Sequence, residues 1–349
     1  MTLRSVRLVS GLVLMAFVTG HMANLMLGMH SLAAMESWRP WLMGPWRSAP
    51  GLALLVAAAL IHMALGLYAI GARRSAAMSE TDVVQLCLGL ATPPLLLNHA
   101  VVMHMAGEVT PNFDATFGQM LAVYWSFSPG YAFQQLGVVM VVWIHAAVGL
   151  YSWLVLKPVW KHIGGMVLPV LFAVPILALL GFAEAGREVL EKLAADPAWR
   201  AHITENLKRV VAVTNPLEKF QNAFLLAYGA LVLAAFAIFG ARVLRDRFAQ
   251  VAIGYDGGVS AQGRRGLSIL ELSRLNDVAH AHVCSGRGRC GTCRVRIESG
   301  AESLSPMNEA ERGTLERVGA GAGERLACQA RVTASGVVAT RLLPPWATS

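Results

Sequence analysis

The sequence predicts an α-helical membrane bundle of six transmembrane helices followed by a compact α+β domain. Three observations predict it. The 349 residues are 55% hydrophobic and only 14% charged, with a mean hydropathy of +0.52, whereas a soluble globular chain carries about 25% charge. Six apolar runs approach the about 20 residues that a helix needs to cross a hydrocarbon core of about 30 Å. After Arg247 the composition turns to glycine-rich turns, short β-branched runs and ordinary charge density. The expected division is 1–248 for the membrane part and 249–349 for the second domain.

The runs fall at 6–29, 51–72, 83–106, 133–156, 164–183 and 221–241. The fifth is short and holds Pro169 and Pro175, which predicts a kink. The first carries His21 and Asn24 and is too long for a cleaved signal segment, so it is read as a retained span. Arg4 and Arg7, Arg73 and Arg74, Lys157 and Lys161, and Arg242, Arg245 and Arg247 all flank one side of a six-span bundle, while 107–131 has no Lys or Arg. Positive residues mark the cytoplasmic side, which puts both termini and the second domain there. Residues from 249 onward carry 12 Lys/Arg against 9 Asp/Glu, a net +3 of the total +8. The basic balance therefore reads as membrane topology and not as nucleic-acid binding. The polar, periodic segment 184–219 predicts two amphipathic helices broken at Asp196–Pro197, capping the outer face.

Four of the ten histidines lie inside four different spans: His21, His62, His99 and His145. An imidazole in hydrocarbon is costly unless its nitrogens are engaged, so such residues are functional candidates. At about 1.5 Å per residue, His62 lies roughly 17 Å before Arg73 and His145 roughly 18 Å before Lys157. His21 lies roughly 21 Å beyond Arg7, and His99 roughly 26 Å beyond Asp82. Two levels result, an inner pair of His62 with His145 and an outer pair of His21 with His99. Paired histidines on facing helices can hold a haem, giving two haem b groups. The near-repeats "IHMALGLY" (61–68) and "IHAAVGLY" (144–151) put Gly66 and Gly149 one turn beyond each inner histidine, where a side chain would press on a porphyrin. Gly28 follows His21 on the same face. His104, farther along the third span, rivals His99. His30, His162 and His202 read as interface or loop residues, the methionines and Cys87 as packing.

The remaining cysteines form "HVCSGRGRCGTCRVRIESG" with a distant fourth: Cys284-x5-Cys290-x2-Cys293, then Cys328. Three thiolates on one tight loop plus a distant one suit a 2Fe–2S cluster. Zinc also uses C-x2-C pairs but usually takes two of them. A disulfide framework is disfavoured by a cytosolic setting. Gly286, Gly288 and Gly291 let the loop curl so that backbone N–H groups reach sulfur. Around it, "QVAIGYD" and "GGVSAQG" predict a hairpin, "SILELSRLN" a helix and "CRVRIES" a strand. "SPMNEAERGTLERV" predicts a helix opened by Ser305 and Pro306, and "RLACQARVT" and "GVVATRLL" closing strands. That is the β-grasp order of a ferredoxin domain, with a spacing closer to the vertebrate type than to the plant type. Arg287, Arg289, Arg294 and Arg296 surround the loop where such ferredoxins commonly present acidic residues.

The membrane part is similar to the dihaem cytochrome b anchors of succinate dehydrogenase and fumarate reductase, through "RLVSGLVLMAFVTGH" and the paired ligands. The chain as a whole resembles the N-terminal redox module of bacterial membrane-bound class III adenylate cyclases. The stretches that carry this are "PPLLLNHAVV", "VVWIHAAVGLYSWLVLKP", "VLPVLFAVPILALLGFAEAGREV" and "CSGRGRCGTCRVRI". The resemblance implies two haem b groups and one 2Fe–2S cluster, a bacterial inner-membrane location, His99 over His104 as outer ligand, and a cyclase output on the cytoplasmic side. No paired metal-binding aspartates of a cyclase occur in these residues, so cyclase chemistry is not assigned to them. The expected role is a redox relay and sensor. The alternative is a quinol or superoxide oxidoreductase with a ferredoxin port, for which His104, Glu108 and Asp114 are candidate proton carriers. A structural anchor is the third reading. Expected partners are the lipid bilayer, a quinone or small redox donor near the outer haem, and a cytoplasmic cyclase domain or redox partner. Anchors of this sort also often form homodimers.

Overall fold

A computed structural model describes residues 3–73, 76, 78–101, 105, 110, 116–284 and 286–344. The chain divides into two compact units, one of residues 4–66 and 81–231, the other of the C-terminal stretch from Val232 with Leu67–Glu80 and the first three residues.

The helices run in chain order as α1 (Leu3–Met26, continued by a 3-10 turn to Met29), α2 (Leu32–Leu42), α3 (Gly44–Arg47), α4 (Ala49–Gly71), α5 (Glu80–Ala100), α6 (Phe117–Ala122, continued by a π-helical turn Val123–Phe127), α7 (Gly130–Leu154), α8 (Trp160–Ala195), α9 (Pro197–Ala212) and α10 (Thr214–Arg245). Among the described residues, α1, α4, α5, α7, α8 and α10 are long and apolar enough to cross a membrane. Helices α2 and α3 were not expected from the apolar runs. Helix α2 starts where Ser31 caps it by accepting from the Ala34 N–H and Glu188 accepts from the Leu32 N–H at 2.6 Å. The expected boundary at 183/184 is also absent. The fifth span and the first amphipathic segment are one helix of 36 residues, about 54 Å long, which exceeds the hydrocarbon core. The break comes at Asp196, whose side chain accepts from the Trp199 N–H and starts α9. His104, near the expected end of the third span, and Glu108 and Asp114 beyond it lie outside the described residues.

Prolines inside α5 and α8 free carbonyls that need new donors. Pro175 has no N–H for Leu171, and Trp143 Nε1 of α7 donates to that carbonyl at 2.7 Å. Pro94 has none for Leu90, and the Tyr228 hydroxyl of α10 donates there at 2.8 Å. The helices thus stay continuous across their prolines. Packing is dense where α1, α2, α6, α7 and α8 meet, around Met22, Met35, Trp143, Phe182 and Val189. There α1 and α8 touch backbone to backbone, since a Cβ on Gly28 would lie 2.3 Å from the Gly181 carbonyl oxygen. Gly28 therefore serves a helix crossing. By contrast, α5 has no buried residue.

The second unit holds a five-stranded sheet in the order β2-β1-β5-β3-β4, formed by β1 (Gln250–Tyr255), β2 (Ser260–Arg264), β3 (Arg294–Ser299), β4 (Glu324–Leu326) and β5 (Val337–Arg341). β1 and β2 form an antiparallel hairpin across Gly257 and Gly258, and β1 pairs parallel with β5, Ile253 opposite Val337. β3 pairs antiparallel with both β5 and β4. Alternate β1 residues Val251, Ile253 and Tyr255 enter a core with Leu267, Ile269, Leu272, Val295 and Leu326. Helix α11 (Ile269–Leu275) opens on a capping box of Ser268 and Glu271. Helix α12 (Glu309–Arg317) starts later than expected, with Asn308 accepting from the Glu311 N–H. Ser305 is unavailable as a cap because its hydroxyl accepts from the Arg331 N–H and its carbonyl from Arg325.

Replacing Tyr228 by Phe removes one oxygen and strands the Leu90 carbonyl. Detergent-solubilised protein should lose about 1–3 kcal/mol, read as a lower thermal-unfolding midpoint. An unchanged midpoint would show that another donor meets that carbonyl.

Candidate metal centres

The thiols lie where α11 hands the chain to β3. Cys284 and Cys290 sit on the loop, Cys293 at the foot of β3, and Cys328 just past β4, where the Ala327 N–H donates to the Cys293 carbonyl at 2.9 Å. Gly286, Gly288 and Gly291 all have positive φ, so L side chains there would be strained and the curl needs glycine. Amide hydrogens turn inward as a result: Arg289 N–H reaches Cys284 Sγ and Thr292 N–H reaches Cys290 Sγ, both at 3.5 Å. Gln329 Nε2 donates to Cys328 Sγ at 3.5 Å and to the Gly286 carbonyl. The Thr314 hydroxyl of α12 ties the Gly288 carbonyl at 2.7 Å.

The thiols come as two hydrogen-bonded couples, Cys284 with Cys290 and Cys293 with Cys328. The Cys284 thiol, aided by Thr292, draws Cys290 down to about 5. The same bond and burial push Cys284 up, and the Cys293 bond and burial push Cys328 up. Among the described residues, no three His, Cys, Asp or Glu side chains converge on one point. A tetrahedral zinc needs four ligands at one ion. Two couples side by side instead suit two irons, each taking two thiolates, with sulfides between them. Of the four arginines around the loop, Arg294 and Arg296 face Glu324 at 3.3 and 3.9 Å, so part of that charge is met within the sheet.

Beneath the loop, His280 is 6% exposed, with Nδ1 3.1 Å from the Ser273 hydroxyl, which meets the Tyr255 hydroxyl at 2.6 Å. Burial draws His280 down to about 4. Sequence reasoning assigned this histidine only to the soluble domain. Its place before the loop carries no signal of burial, which α11 and Tyr255 impose.

In the helical unit the structure brings together the histidines that the depths had grouped. Ring centroids are 6.2 Å apart for His62 and His145 and 5.9 Å for His21 and His99. An ion bound about 2 Å from each of two imidazole nitrogens, each nitrogen about 1 Å from its ring centre, separates the centroids by about 6 Å, so the spacing of each pair fits one metal ion between two ring nitrogens. His62 Nδ1 lies 3.1 Å from the Arg7 carbonyl and 3.3 Å from the Ser10 hydroxyl, leaving Nε2 for a metal. His99 Nδ1 lies 3.3 Å from the Tyr124 hydroxyl. His145 Nε2 meets Gln85 Nε2 at 3.4 Å.

A Cβ on Gly66 would meet no atom within 4 Å, and on Gly149 it would meet Gln85 Nε2 at 3.4 Å. No protein neighbour makes either position require glycine. Two glycines that the sequence reading passed over are tighter. A Cβ on Gly11 of α1 would lie 2.9 Å from His62 Cε1, and on Gly89 of α5 it would lie 2.8 Å from His145 Cε1. The signal was present: Gly11 precedes His21 by ten residues, and Gly89 precedes His99 by ten. Elsewhere, His202 lines a cavity of about 330 Å³ with Glu36, Lys192 and Trp199 in the region of α2, α6 and α9.

A glycine-curled loop of paired thiols on this sheet defines an iron–sulfur electron carrier of ferredoxin type. Residues 255–333 match the family described as 2Fe-2S iron-sulfur cluster binding domain. The chain is 36% identical over 78 residues to 2Fe-2S ferredoxin-5 of Aquifex aeolicus, covering 22% of this chain and 81% of that protein. It is 34% identical over 79 residues to Chlorosome protein I of Chlorobaculum tepidum, covering 23% of this chain and about a third, 32%, of that protein's length. The crystal structure of an ISC-like 2Fe-2S ferredoxin from Pseudomonas putida shares 24% identity over 27% of this chain and 93% of its own, with a TM-score of 0.25. Through its C-terminal domain the chain belongs to the 2Fe-2S ferredoxin family.

Because the folded value of His280 is depressed, its contribution to stability is complete above about pH 6.5 and is lost as pH falls toward about 4, roughly 3 kcal/mol in all. The stability gap between wild type and His280→Gln in urea unfolding should close across that window. A gap independent of pH would refute this.

Proposed function

We propose that the chain is a membrane redox relay and sensor. Two haem b groups, one held by His62 and His145 and one by His21 and His99, exchange single electrons with the 2Fe–2S cluster on Cys284, Cys290, Cys293 and Cys328. The observation that carries the haem reading is the pair of facing imidazole couples at 6.2 and 5.9 Å. Support comes also from the space at Gly66, the absence of buried residues on α5 and the polar partners on Nδ1 of His62 and His99.

When bound, haem iron supplies one-electron chemistry within the bundle. The chain's own part is to orient four imidazoles, with Nδ1 of His62 and of His99 engaged by the Arg7 carbonyl and the Tyr124 hydroxyl, and to exclude water. In the ferredoxin domain, the loop amides and Gln329 steady thiolate charge. The Lys/Arg bias supports a ferredoxin domain on the cytoplasmic side of a bacterial inner membrane. A haem held by His21 and His99 would exchange electrons with a quinone or small donor, and a cluster held by the four cysteines would bias a cytoplasmic partner through its oxidation state. The resemblance to cyclase modules supports a cyclase domain as that partner.

The test is optical and EPR titration of full-length protein purified from iron-replete cells. His62→Ala and His145→Ala should each remove the same half of the haem, and His21→Ala or His99→Ala the other half. Cys328→Ser should abolish the cluster signal and leave the haem. Full haem content in all four histidine variants would sink the reading.

A further inference from the structure

The four histidines differ in what holds their rings, and the partner of His99 is unusual. Tyr124 is the second residue of the π-helical turn Val123–Phe127, which widens the backbone after α6. Such turns are rare and often mark functional positions. The turn sets the Tyr124 ring 6.1 Å from Phe182, with the residue 8% exposed. A phenol buried this deeply needs a hydrogen-bond partner, and its hydroxyl lies 3.3 Å from His99 Nδ1.

Resting on the proposed haem at His21 and His99, we propose that Tyr124 is a positioning residue that sets the potential of that outer site. The neutral His99 ring donates Nδ1–H to the phenol oxygen. This fixes the tautomer with its lone pair on Nε2, limits rotation of the ring and makes Nε2 more basic. A more basic axial imidazole favours the ferric state and lowers the potential. At the inner site His62 Nδ1 meets the stronger acceptor, the Arg7 carbonyl, at 3.1 Å. The phenol is the weaker acceptor, so the outer site holds an electron more readily than the inner one.

Tyr124→Phe deletes the acceptor and keeps the ring against Phe182. In redox titration of the full chain, followed optically and by low-spin EPR, both haems should remain. The outer midpoint should rise by about 59 mV, a tenfold change in its one-electron equilibrium, with an altered outer EPR signal and an unmoved inner midpoint. Phe182→Leu loosens the same packing but keeps the hydroxyl, and should leave both midpoints at wild-type values. Unchanged midpoints and spectra in Tyr124→Phe, or an equal shift in Phe182→Leu, would overturn the assignment. Wild-type protein that binds no haem would instead overturn the haem reading itself.

Discussion

Inside hydrocarbon there is no water to meet a stray carbonyl or imidazole nitrogen, and several side-chain hydrogen bonds in the helical unit answer that constraint. Trp143 and Tyr228 donate to carbonyls that Pro175 and Pro94 leave without an N–H. Asn24 donates to the Met35 carbonyl. His62 and His99 each have Nδ1 occupied, by a backbone carbonyl in one case and a phenol in the other. Polar groups at these depths are therefore placed by their partners on neighbouring helices. The same partners decide which histidine nitrogen stays free.

A second regularity follows from the first. Helices α1 and α5 each contribute a histidine to one couple and a glycine, ten residues earlier, against a histidine of the other couple. Helices α4 and α7 each contribute a histidine followed four residues later by a glycine. The four helices thus play two roles, each twice, and the ring edges of His62 and His145 rest on bare backbone in the same way. A methyl group at Gly11 or Gly89 would force those rings to move.

The ferredoxin domain works by a different economy. Its loop is held by glycines in left-handed backbone, by Thr314 and Gln329, and by the Cys293–Ala327 bond, and these contacts fix where the four sulfurs sit. Deeper in the core, Glu311 is fully buried yet met by Arg325 and the Leu326 N–H, which locks α12 to β4 beside Cys328.

Much of this was legible in the chain itself. Hydropathy set six spans because bilayer thickness fixes how many apolar residues a helix needs, and the cysteine spacing set the ferredoxin loop because two irons need four thiolates. Depth along each helix grouped the histidines, since rise per residue is constant. Other features depended on neighbours distant in sequence. Helix α2 forms where Glu188 reaches its first amide, α8 runs through Pro175 because Trp143 stands beside it, and Ser305 fails as a cap because Arg331 and Arg325 occupy it. Local pattern and composition therefore determined which elements exist and which residues carry chemistry. Only the tertiary structure decided which nitrogen, carbonyl or glycine each one meets, because those partners are fixed by helix packing and leave no period in the sequence.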